Sequence, residues 1–162
     1  MSDLGTVRRD GEFGAVHFSR HYDVSPAELW AAWTEPDRIA RWLGAAVEGG
    51  PIEPGEAFRL VWAEGADNQV DLVVRELKPP ELLEWEWTIA GEPPTLLRVE
   101  LSPASSGTLL VLDHSGLPIS MFTGLSAGWH DFLDTLASGQ PPADKHWREL
   151  LPEYKRRLAE LG

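Results

Sequence analysis

Several groups of residues have the types and spacings to act on another molecule. Gly124-Leu125-Ser126-Ala127-Gly128 matches the G-x-S-x-G pattern. In that pattern a serine nucleophile sits on a sharp strand-to-helix turn and needs an acid and a histidine later in the chain. Here Pro118 and Ser120 precede it, Leu125 belongs to a helical stripe, and only Asp131, Asp134, Asp144 and His146 follow. Small residues at a helix start fit the pattern equally well, and they give close helix approach or room for a pocket. His17 and His21 have the spacing of a helical zinc pair. They fall in an alternating stretch, however, where residues four apart are separated by about 13 Å, too far for one ion. No metal site is expected from them. Asp113-His114-Ser115 is not a triad, because neighbours on a strand point to opposite faces. His114 shares a face with Leu110 and Leu112. It is either a hydrogen-bonded structural group or a polar group inside a pocket, able to anchor a ligand or carry a proton.

The sharpest constellation is aromatic. The chain holds eight tryptophans, and indole rings need apolar volume around them and a partner for each N–H. Trp62, Trp85, Trp87 and Trp129 fall on apolar faces. They either line a cavity for an apolar or flat ligand or fill the core. Met121 and Phe122 are placed to form a flexible lip at the mouth of such a cavity.

These residues need elements to position them. Ala15 to Asp23 alternates, with Val16, Phe18, Arg20 and Tyr22 on one side, and reads as a half-buried strand. Ser25-Pro26-Ala27-Glu28 is a helix start, with Ser25 as cap and Pro26 at the first position. Thr34-Glu35-Pro36-Asp37 repeats it for a second short helix that Gly44 ends. Strand signals follow over 45–48, 57–62, 69–77, 82–89, 96–101 and 108–114, separated by short turn-rich breaks that favour antiparallel pairing. Phe58, Leu60 and Trp62 share a face, as do Val70, Leu72 and Val74, and Leu83, Trp85, Trp87 and Ile89. One face of the sheet is therefore strongly apolar and must be covered. Leu125, Trp129, Phe132, Leu133 and Leu136 recur at helical spacing through 123–138 and supply the cover, with Gly139 as the stop. Pro141-Pro142 follows. A last helix carries Trp147, Leu150, Leu151, Tyr154, Leu158 and Leu161 on one stripe, with a kink or restart expected at Pro152. The partition is a polar lead-in over 1–14, one domain over 15–140, and a C-terminal helical extension over 141–162 packing on it.

Composition excludes some classes of partner. The net charge of −12 repels phosphate backbones and anionic membranes, so neither nucleic acid nor a membrane is expected. The first fourteen residues lack the apolar segment of a signal peptide. Without cysteine there are no disulfides, thiolate metal sites or cysteine nucleophiles. A cytoplasmic location is the simplest expectation.

The order of elements resembles the START-like helix-grip superfamily, an α+β fold in which a curved antiparallel sheet, here of about seven strands, wraps a long C-terminal helix. The local sequences are similar to its branch of homologues of the activator of the ninety-kilodalton heat-shock chaperone ATPase. The matching stretches are Gly5 to Gly11, Val24 to Pro36, Trp42-Leu43-Gly44, Pro79 to Trp85, Gly107 to Leu117 and Gly128 to Leu136. Trp147 to Tyr154 resembles the tail of the branch. Trp33 stands where a leucine would be expected in relatives. The resemblance implies a cavity for lipids, hormones or polyketides, with no shared catalytic motif to carry over.

The leading expectation is a binding protein for a small hydrophobic molecule, without covalent catalysis or cofactor. Its site would comprise Trp62, Val70, Leu72, Trp85, Trp87, Met121, Phe122, Leu125, Trp129, Phe132 and Leu133, with His114 as polar anchor. The alternatives are a cyclase or dehydratase using His114 as general acid or base and a chaperone-assisting interaction module. A homodimer through an apolar edge is also open.

Overall fold

The computed structural model describes residues 3–139 and 144–161. One eight-stranded antiparallel sheet has the order β1-β2-β8-β7-β6-β5-β4-β3. Its strands are β1 Thr6–Asp10, β2 Phe13–Tyr22, β3 Ala46–Gly49, β4 Ala57–Val61, β5 Gln69–Lys78, β6 Leu82–Ile89, β7 Thr95–Pro103 and β8 Thr108–Pro118. Helices α1 Pro26–Thr34 and α2 Pro36–Leu43 leave the sheet after β2, and α3 Ile119–Ser138 and α4 Asp144–Ala159 follow β8. The α+β helix-grip architecture is thus as the sequence implies. The eighth strand is β1, which lies within the segment read as a polar lead-in. It pairs with β2 from Thr6 opposite His17 to Asp10 opposite Phe13.

Local chemistry explains the elements near the site. Ser25 Oγ accepts the Glu28 backbone N–H at 3.2 Å and caps α1. Gly44 ends α2 at φ 70°, and its N–H closes on the Ala40 carbonyl. The helix α3 begins at Ile119, directly after β8 and four residues earlier than its stripe predicts. The helix α4 runs unbroken through Pro152. The proline removes one intrahelical bond, but Leu150 and Tyr154 on either side are fully buried and hold the helix to the body. Pro141-Pro142 lies outside the described residues. No helix among the described residues is long and apolar enough to cross a membrane.

The core lies between the inner face of the sheet and α3, closed at one end by α1 and α2 and flanked by α4. Val16 and Phe18 from β2, Leu72 and Val74 from β5, Trp85 and Trp87 from β6, Leu97 and Val99 from β7 and Leu110 and Leu112 from β8 all point into it. This is the alternation read from the sequence, realised by pairings such as Leu72 opposite Trp87 and Leu97 opposite His114.

Candidate functional site

Seven of the eight tryptophans fall into two populations. Trp33, Trp42 and Trp85 pack with Phe58 at the end closed by α1 and α2. Trp33 and Trp42 lie 4.6 Å apart, Trp33 and Trp85 5.8 Å, and Phe58 and Trp85 5.2 Å. This end is solid core. Trp62, Trp87, Trp129 and Trp147 instead surround a cavity of about 660 Å³. The last residues of α2, the end of β4, β5, β6, α3 and α4 all contribute to its wall.

The wall indoles are held by traceable contacts. Trp62 Nε1 donates to the Leu43 carbonyl at 2.9 Å, tying the end of β4 to the end of α2. Its ring stacks on Phe132 at 6.0 Å and 18°. Trp87 meets Trp129 at 5.3 Å. Trp147 Nε1 donates to the Gly124 carbonyl at 3.0 Å, bringing α4 onto α3. Gly124 and Gly128 face this indole, and a Cβ at Gly124 would lie 3.6 Å from Trp147 Cζ2. The two glycines therefore leave room beside the ring. Asp67, Asn68, Gln69 and Asp131 give the wall its polar portion, and Val70, Ile89, Met121 and Leu125 extend the apolar one.

Of the residues proposed from the sequence, Trp62, Val70, Trp87, Met121, Leu125, Trp129 and Phe132 line this cavity. Leu72, Trp85, Phe122, Leu133 and His114 lie outside its wall. Leu72 and Leu133 are wholly buried core residues, and Trp85 belongs to the closed end. Phe122 faces away from the mouth: it fills the space over Gly14, where a Cβ would come within 2.6 Å of its ring. Trp147 and Ile89 are wall residues that the sequence-based list omitted.

His114 is a linker in the core rather than a group on the cavity wall. Trp129 Nε1–H donates to its Nδ1 at 2.8 Å. Its Nε2 lies 2.7 Å from Thr95 Oγ1, whose hydroxyl donates to the Trp87 carbonyl at 2.6 Å. Because the hydroxyl proton is committed to that carbonyl, Nε2 carries the imidazole proton and donates to Thr95. The ring is thus a neutral relay between two wall tryptophans. Burial, the dominant cause, lowers its pKa from 6.5 to about 3.

Two other sequence motifs find plain roles. Ser126 is in the interior of α3, fully buried, with no strand-to-helix turn before it. It therefore lacks the geometry of a nucleophile elbow. His17 and His21 are partly exposed on β2; His17 sits 3.5 Å from Asp113, and His21 meets the Ser106 carbonyl. A buried indole N–H is less ordinary. Trp33, Trp85 and Trp87 each keep a buried Nε1–H without a hydrogen-bond partner among the described residues, and of the three Trp87 stands on the cavity wall.

Comparisons with known proteins agree with this architecture. Crystal coordinates of CalU16 from Micromonospora echinospora superpose with a TM-score of 0.75 at 24% identity, over 98% of this chain and 95% of that one. DynU16, from the dynemicin biosynthetic locus, superposes with a TM-score of 0.66 at 28% identity over 76% of this chain and 46% of its own. The Aha1 dimer from Colwellia psychrerythraea gives 0.66 at 18% identity, over 76% and 92%. No curated protein matches the sequence. The family model described as Activator of Hsp90 ATPase homolog 1-like protein matches residues 23–138, most of the sheet and the whole of α3, and the chain belongs to that family.

Proposed function

We propose that this protein binds a small apolar or flat aromatic molecule in the cavity between the sheet and α3, without forming a covalent bond to it. The observation that carries the reading is a cavity of about 660 Å³ walled by Trp62, Trp87, Trp129 and Trp147. Ligand cavities of small-molecule binders span about 300–1,000 Å³ and combine apolar walls with a few placed polar groups. The body of the ligand would stack among Trp62, Trp87, Trp129 and Phe132. Origin of the relative DynU16 in a biosynthetic locus accords with a metabolite as ligand.

Tryptophan fluorescence tests this directly, with fatty acids, flavonoids and polyketides as the panel. Four of the indoles stand on the wall, so an occupant is expected to quench or shift the emission. Trp87→Phe, which removes part of the indole wall, should weaken a ligand bound there. An emission unmoved by every member of the panel would overturn the reading.

Catalysis of the cyclase or dehydratase kind has weaker support, since both His114 nitrogens are engaged and the imidazole is neutral. Self-association and chaperone contact are further proposals, drawn from the family and from the dimeric Colwellia protein. Native mass spectrometry and pull-down on the chaperone test them.

A further inference from the structure

The strongest unused cluster lies at the seam of α3 and α4, away from the cavity wall. His130 and Asp134 are one helical turn apart on α3, a spacing that puts both on one face. His146 comes from the first turn of α4. Their three ligand-type atoms lie within 4.8 Å of one another. His146 Nε2 is 2.8 Å from Asp134 Oδ2, and His130 Nε2 is 3.5 Å from the same oxygen.

From this geometry we infer that His130, Asp134 and His146 form a binding site for a divalent transition-metal ion of the zinc class. Two imidazoles and a carboxylate are donors that zinc accepts. In a tetrahedral centre with bonds of about 2.0–2.1 Å, ligand atoms stand about 3.3–3.4 Å apart. The two imidazole–carboxylate separations bracket that value and all three atoms lie within 4.8 Å, so side-chain rotations admit an ion. His146 is partly exposed, which gives the ion a path in and leaves the fourth position to water.

The surroundings orient the ligands as metal sites require. Tyr154 Oη lies 2.8 Å from His130 Nδ1, and it also accepts the Gly5 N–H at 2.8 Å. This contact fixes the ring with its Nε2 edge turned towards Asp134, the edge a metal would take. Arg20 holds Asp134 Oδ1 at 2.7 Å and turns Oδ2 towards the two rings. The Arg20 charge opposes the cation locally. The net charge of −12 favours it at longer range. A bound ion would fasten α4 to α3 next to Trp147 and so fix one wall of the cavity.

The test uses the untagged full chain with Zn²⁺, and Co²⁺ as its spectroscopic stand-in. Stoichiometric Zn²⁺ should raise the melting temperature, and Co²⁺ should give the intense visible absorption of a four-coordinate N/O site. His146→Ala, a change at a partly exposed position, should remove both signals while the metal-free protein melts as before. Tyr154→Phe, which removes the group orienting His130, should weaken Zn²⁺ by about tenfold. Replacing His17 and His21 together with alanine should change nothing. Absence of both signals in the wild type, their survival in His146→Ala, or their loss on replacing His17 and His21 would overturn the site. If His146→Ala melts lower without metal, His146→Gln is read instead by the Co²⁺ absorption, and retention of the band refutes the site.

Discussion

His114 shows how much a single residue can mislead or inform. Its place among leucines is visible in the sequence, but its partners, Trp129 on α3 and Thr95 on β7, sit 15 and 19 residues away on other elements. With those partners, the imidazole bridges Trp129 to the Thr95–Trp87 pair. The linkage has a definite sign. The folded-state pKa is about 3, and an unfolded histidine titrates near 6.5. Above about pH 6.5 both states are neutral at this ring and it contributes no pH dependence. Between about 6.5 and 3 the unfolded chain binds a proton that the folded ring refuses, so stability falls on acidification by roughly 1.4 kcal/mol per pH unit. His114→Leu removes that dependence and orphans the Trp129 N–H, at a cost of about 2–3 kcal/mol at pH 7. Urea unfolding at pH 7 and pH 5 checks both. The wild type should lose roughly 2 kcal/mol more than the variant between the two values, and equal losses would refute the relay.

The helix α3 shows what packing adds to pattern. Its apolar stripe predicts a helix over the sheet, and that is what forms. Its glycines are explained only when α4 is in place, because Gly124 and Gly128 face Trp147. Alanine at Gly128 would meet Phe132 and Trp147 at 4.0 Å, an ordinary contact. It should therefore raise stability by about 1 kcal/mol through helix propensity. Its methyl would also enter the cavity wall and weaken a ligand bound there. A rise in melting temperature combined with a fall in affinity checks this, and unchanged affinity would place the ligand elsewhere. The strands divide by how clearly their two faces differ. β6 alternates cleanly and its bounds, Leu82–Ile89, are those the sequence predicts. β1 is an edge strand with no buried residue, so it carries no alternating signal and reads as a lead-in.

At the level of the whole molecule, the order of strands and helices was legible because each apolar face demands a cover. The boundary between core and cavity was not. Trp85 and Trp87 are two residues apart on one face of one strand, yet one is sealed among Trp33 and Phe58 and the other borders open space. Periodicity assigns a face; it does not say whether the opposing rings interlock. The deciding part is α4, whose seating depends on long-range partners: Tyr154 at the Gly5 N–H and Trp147 at the Gly124 carbonyl. A chain ending at Gly139 would lose Leu150 and Tyr154 from the core and Trp147 from the wall. Burying a large apolar side chain contributes about 1.5–3 kcal/mol, so the shortened chain should be less stable by at least about 4 kcal/mol. It should also lose the fluorescence response to a ligand that the full chain binds. Thermal unfolding followed by circular dichroism, with the titration repeated where the shortened chain is still folded, checks this. An unchanged melting temperature would mean that α4 is an appendage rather than part of the body that shapes the cavity.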